Sequence, residues 1–156
     1  MVRAFARRLQ RRDISLRFGR ALDLEDDATL RRYFDIQAGT GEIGWVREET
    51  GAIAGIAHRV MVSRLQAEIA LIVRSDLRRL GIGEFLLRQM LVRSTRQGLK
   101  TLSALVLREN WPVLRLAAKV GGTARQTSAG TVEVTFDAAR TAAFLQPSQP
   151  GRSIEF

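Results

Sequence analysis

Ile72-Val73-Arg74-Ser75-Asp76-Leu77-Arg78-Arg79-Leu80-Gly81-Ile82-Gly83 is the joint on which the fold of this 156-residue chain turns. Before it, residues 67–74 form a β-rich run; after Gly81 the period changes, and Ile82, Phe85, Leu86 and Met90 follow the i, i+3, i+4, i+8 spacing of a helix, with Gly98 as its stop. The joint suits an anion. Gly81 and Gly83 allow close backbone approach, the first helical turn offers unpaired N–H groups and a positive dipole end, and Arg78 and Arg79 add charge for phosphate oxygens. The Gly-Lys-Ser/Thr of a Walker loop is missing, as are the third glycine and later acid of a Rossmann fingerprint. Without further support, the same glycines could serve only tight strand-on-helix packing.

Outward from the joint, residues 43–48, 52–62 and 67–74 read as three antiparallel strands, broken at 49–51 and 63–66. Downstream, 101–107 is a short apolar strand. Val113, Leu116, Ala117 and Val120 mark a second helix, with Asn110 as N-cap, Pro112 in the first turn and Gly121 and Gly122 ending it. Residues 124–127 and 132–136, joined around Ala129 and Gly130, form a closing hairpin. Upstream, 14–18 reads as a first strand, and the acids Asp23, Glu25, Asp26 and Asp27 lead into a helix over 28–35. Arg3, Arg7, Arg8, Arg11 and Arg12 suggest a basic arm or a frayed helix over 1–13; residues 14–140 form one domain, and 141–156 a disordered tail.

The balance of 46% apolar and 26% charged residues is that of a folding chain rather than a disordered one. With no cysteine and one histidine, disulfides, thiolate metal sites and a cysteine nucleophile are excluded, and no metal is implied. No apolar run approaches the ~18 residues of a membrane helix, and the arginine-rich start lacks a secretory apolar core. A cytoplasmic protein with no membrane partner is expected. The net charge of +9, carried by arginine apart from Lys100 and Lys119, predicts an anionic partner, unless it only reflects a preference for arginine codons. Nucleic acid is the less expected anion, because the arginine-rich start has little aromatic surface for stacking bases.

Arg78, Gly81 and Gly83 resemble the Arg/Gln-x-x-Gly-x-Gly/Ala signature of the GNAT acyltransferases, and Asn110 and Gly121 continue the resemblance, which spans about residues 43–137. Ala67-Glu68-Ile69-Ala70 and Arg108-Glu109-Asn110 look most like the acetyltransferase domain of bacterial protein-lysine acetyltransferases. The resemblance implies an α+β, three-layer fold with a mixed, mainly antiparallel sheet flanked by helices. It implies acetyl-CoA as co-substrate, with Leu71, Ile72 and Val73 offering backbone groups to the pantetheine arm. Arg78, Arg79, Leu80, Gly81, Ile82 and Gly83 would hold the pyrophosphate, and Asn110 would lie near the thiol end.

Glu68 would be the general base for an amine acceptor, expected to be a protein lysine. An amine with a pKa near 10.4 is only about 0.04% neutral at pH 7, a penalty of roughly 4.6 kcal/mol that a base would offset. The competing reading of Glu68 is an exposed strand residue paired with Arg64 or Arg74. Two positions depart from the family: Ala117 stands where many members have a tyrosine that protonates the leaving thiolate, the only tyrosine being Tyr33, and Gly122 replaces an aromatic. These leave a small-molecule amine acetyltransferase, or a non-catalytic acyl-CoA-binding module, as alternatives. Glu109 is a reserve base; His58 reads as a structural strand histidine ahead of a second base, and Trp111 as a cover for the core ahead of a surface on which a ligand stacks.

Overall fold

A computed structural model describes residues 2–34, 41–48, 50–128 and 130–141. The chain opens with three short helices, α1 (Val2–Ala6), α2 (Arg11–Phe18) and α3 (Asp27–Phe34), followed by β1 (Gly41–Arg47), β2 (Ile53–Met61) and β3 (Gln66–Val73). A 3-10 turn, Ser75–Leu77, leads to α4 (Ile82–Arg96), then β4 (Thr101–Leu107), α5 (Trp111–Lys119), β5 (Thr123–Gln126), β6 (Thr131–Asp137) and α6 (Ala138–Thr141). The six strands form one sheet in the order β1-β2-β3-β4-β6-β5, antiparallel except where β3 meets β4. This is the mixed, mainly antiparallel α+β architecture expected from the sequence.

Alternation along the strands divides the core between two faces. Ile56 of β2 and Ile72 of β3 pack with Phe5, Ile14, Leu30 and Phe34 of the three leading helices. Ala54 and Ala57 meet Ile82, Phe85, Leu86 and Met90 of α4 on the other face, where Ile69, Leu102, Val134 and Phe136 also pack with Ala117 of α5.

Two expectations for the N-terminal region are corrected. Residues 14–18 are the second half of α2, not a strand. Their alternation satisfies a two-residue period, but Asp13/Arg17 and Ile14/Phe18 are also i, i+4 pairs, and Gly19 closes the helix at φ +70° with its N–H bonded to Ser15 O. Nor are residues 2–6 a free basic arm. They are helical, Phe5 is 2% exposed, Arg3 pairs with Asp27, and Arg7 pairs with Glu25 at 3.1 Å. The acidic cluster thus binds these arginines as well as opening α3, where the Asp26 carboxylate accepts from the Thr29 N–H at 2.7 Å. Ala129 and the tail from 142 lie outside the described residues.

Candidate functional site

The parallel pairing of β3 with β4 lasts only from Gln66–Thr101 to Glu68–Ser103, although β3 runs on to Val73 and β4 to Leu107. Beyond Glu68 the strands diverge, and β3 backbone groups that point towards β4 have no ladder partner. A cavity of about 890 Å³ fills the wedge, walled by Ile69, Leu71 and Val73 on one side and by Ala104, Leu105 and Val106 on the other. Helix α2 packs across β3 and β4 and brings Asp13, Leu16 and Arg17 to the wall; α5 contributes Val113 and Leu116.

At the open end, the chain from Val73 turns into α4 through two left-handed residues, Arg79 at φ 62° and Gly81 at φ 76°. Alternating right- and left-handed conformations gather successive N–H groups into a concave anion cradle, and the first turn of α4 adds its own. Arg79 adopts this conformation without being glycine, a strain of about 1–2 kcal/mol that marks the loop as shaped for more than connection. A Cβ added to Gly83 would meet only ordinary contacts, the nearest being Leu116 Cδ2 at 3.4 Å, so packing does not demand glycine there. The Arg78 side chain is ion-paired with Asp13, a buried carboxylate that also accepts from Ser75 Oγ; α2 is thereby tied to the loop.

Of the residues singled out in the sequence, Leu71, Ile72, Val73, Arg78, Arg79, Gly81, Ile82, Gly83 and Asn110 converge on this cavity. Leu80, 54% exposed, and Glu68 lie outside its lining. Asn110 precedes α5 as expected but makes no side-chain cap; its carbonyl accepts from Val113 and Leu114 at 3.1 Å, leaving a largely buried carboxamide at the wall. Glu68 stands exposed at the closed end of the wedge, the last residue of β3 paired with β4. Its proposed partner Arg74 is instead buried against Glu48 and Asp76. The charge that Glu68 does influence is Arg17, whose pKa is lowered to about 10 by burial, with Glu68 opposing the shift.

His58 is buried, its ring edge-on to Phe34 at 5.8 Å, and burial pushes its pKa down to about 3 with Arg17 adding to the effect. It remains neutral at physiological pH. Trp111, expected over the core, is 61% exposed at the start of α5, where the first helical residue faces away from the sheet. Tyr33 packs on Phe18, 5.1 Å between centroids, and bonds Arg20; it does not line the cavity, whereas Ala117 does. Gly122 has no room for a side chain: a Cβ would come within 2.8 Å of Phe136 and Val134 and 2.9 Å of Ala117 O. Sequence reasoning missed Asp13 and Arg17, because reading residues 14–18 as a strand removed the helix that carries them. Their four-residue spacing, which puts both on one helical face, was the available signal.

The arrangement fits acetyl-CoA. Strand walls suit an extended pantetheine arm with free backbone groups to bond it, and the cradle with its arginines suits a pyrophosphate. Among the described residues no group of acidic or histidine side chains could hold a metal, and no helix is long and apolar enough to cross a membrane.

A search of curated proteins found no match to this chain. Among solved structures, the GNAT domain of Streptomyces lividans PAT superposes with a TM-score of 0.76 at 17% identity, covering 86% of this chain and 81% of that one. Spermidine N-acetyltransferase from Vibrio cholerae, in complex with CoA and spermine, gives 0.73 at 15% identity, with 90% and 92% covered. The N-acetyltransferase PseH of Campylobacter jejuni, in complex with acetyl coenzyme A, gives 0.57 at 20% identity, with 65% and 70% covered. At these identities the likenesses speak for the fold. Residues 8–122 match the sequence profile of the acetyltransferase (GNAT) family, spanning the wedge, the anion cradle and both helices that wall the cavity, and the chain belongs to that family.

Proposed function

We propose that this acetyltransferase moves an acetyl group from acetyl-CoA to a primary amine by direct attack, with Glu68 as general base. The observation that carries the reading is the wedge: a sheet that opens after three paired residues, with an anion cradle at the open end and a carboxylate at the closed end. The bound acetyl-CoA supplies an activated thioester and a thiolate that can leave. Leu71, Ile72 and Val73 align its arm along the free edge of β3, while Arg78, Arg79, Leu80, Gly81, Ile82 and Gly83 hold its phosphates, Leu80 through backbone alone. Asn110 offers its carboxamide near the thiol. Holding both reactants together removes much of the entropic barrier. Glu68 takes the amine proton, and unpaired N–H groups of β3 polarise the thioester carbonyl. With Ala117 where the family often has tyrosine, water protonates the departing thiolate.

The motif likeness at residues 67–70 and 108–110 supports a protein lysine as acceptor and a bacterial, cytoplasmic setting; small amines such as polyamines are the alternative. The test is acetylation of lysine peptides and polyamines by the wild type, Glu68→Gln and Glu109→Gln. Glu68→Gln should keep acetyl-CoA binding and lose about 10²- to 10⁴-fold in turnover; unchanged turnover moves the base elsewhere, Glu109 at the cavity wall being next. Ala117, together with the position of Glu68 outside the lining, motivates a second reading, a non-catalytic acyl-CoA-binding module. That reading requires acetyl-CoA binding with no acetylation of any amine offered.

A further inference from the structure

Among the described residues five arginines line the cavity, and only one of them is both withdrawn from solvent and left without a partner. Arg12, Arg79 and Arg115 are exposed to water, and Arg78 has Asp13. The Arg17 side chain is partly buried and makes no hydrogen bond or ion pair among the described residues, its Nε being fully enclosed and unsatisfied. Its guanidinium carbon lies 4.6 Å over the Phe18 ring, which supports a cation without neutralising it. Glu68 acts on it electrostatically but stays beyond ion-pair distance. A desolvated cation with so little compensation is costly unless something else completes it.

Its place in the cavity identifies what that would be. Asp13, one turn earlier on α2, is tied to Arg78 at the cradle, so the helix runs from the open end of the wedge towards the closed end, where Arg17 comes under the influence of Glu68. The cofactor phosphates belong at the cradle, and Arg17 therefore faces the acceptor side of the reacting centre.

We propose that Arg17 is a specificity-determining residue that selects acceptors bearing an anionic group next to the amine to be acetylated. This rests on reading the wedge as an amine-acetylation site. The planar guanidinium would pair with the acceptor's anion, leaving the amine free to turn to Glu68. A second cation at that position is repelled in a water-poor cavity, so polyamines are poor acceptors, a bias that the overall charge of +9 reinforces at long range. The anion can be the carboxylate of a small amino acid or an acidic side chain flanking a peptide lysine; both present the same chemistry.

Matched pairs separate the sources. Nα-acetyl-lysine and its carboxamide differ only in the carboxylate, while the capped peptides Ala-Asp-Lys-Asp-Ala and Ala-Asn-Lys-Asn-Ala differ only in flanking charge; spermidine is the cationic reference. Calorimetric binding of each to the CoA-saturated full chain needs no turnover, and initial rates with acetyl-CoA are measured in parallel. At least one anionic member should bind about tenfold or more tightly than its neutral twin. Arg17→Gln should erase the difference, and Arg17→Lys should retain part of it, with melting curves confirming that both variants fold. Preferential binding without turnover would support the selection by Arg17 while overturning the acetylation reading. Turnover with neutral amines or spermidine as good as the anionic acceptors, or a preference that survives in Arg17→Gln, would overturn the selection and leave acetylation standing.

Discussion

Gly122 shows how a single position can carry a family departure and its explanation together. The aromatic that the family resemblance leads one to expect there has no space here, because Phe136 and Val134 already occupy the ground that its Cβ would need. Gly122→Ala should therefore destabilise the protein by about 1–3 kcal/mol, read as a lower urea midpoint. Arg79 makes the opposite case. Replacing it with glycine relieves a left-handed side chain but frees the unfolded backbone, so stability should change by less than about 1 kcal/mol. If Arg79 contacts the cofactor phosphates as proposed, acetyl-CoA should raise the melting temperature of Arg79→Gly less than that of the wild type. Equal shifts in both proteins would remove Arg79 from the cofactor site. Arg79 suits this measurement better than Arg78, because removing the Arg78 guanidinium would leave the buried carboxylate of Asp13 without its ion-pair partner.

Among the elements, β2 carries the chain's one histidine, buried against Phe34 of α3 and near Arg17 of α2. His58 has a folded pKa of about 3 against about 6.5 unfolded, so the unfolded chain binds the extra proton between these values. Stability attributable to His58 is complete above about pH 6.5 and falls as pH drops through that window, by up to about 1.4 kcal/mol per unit. Urea midpoints at pH 7 and pH 4.5 should accordingly differ less in His58→Leu than in the wild type. Most elements could be read from local pattern: β4, α4 and α5 carry their periods and stop signals in a few consecutive residues. The exceptions were α1, left between a basic arm and a frayed helix, α6, which was not anticipated, and α2, where five residues fit either period and neither Asp13–Arg78 nor the packing of Ile14 on the core is visible locally.

For the whole molecule, the net charge of +9 and the arginines around the cavity predict that acetyl-CoA affinity falls with ionic strength. Titrations at 50 and 300 mM NaCl should show a several-fold loss, and a salt-independent affinity would mean that phosphate contacts contribute little. Part of the charge is already spent within the fold, since Arg3 and Arg7 hold the acidic segment before α3.

By itself, the sequence determined the strand-to-helix joint, the glycine that shapes its turn, the order of elements from β1 to β6 and the family they resemble, because each rests on neighbours a few residues apart. Only the tertiary structure decided how far β3 and β4 stay paired, that Arg78 pairs with Asp13, and that the Arg17 side chain lies partly buried beside the cavity with no ion-pair or hydrogen-bond partner among the described residues. These are relations between residues up to 65 positions apart in the case of Asp13 and Arg78, created by the packing of α2 across two diverging strands, and no local period encodes them.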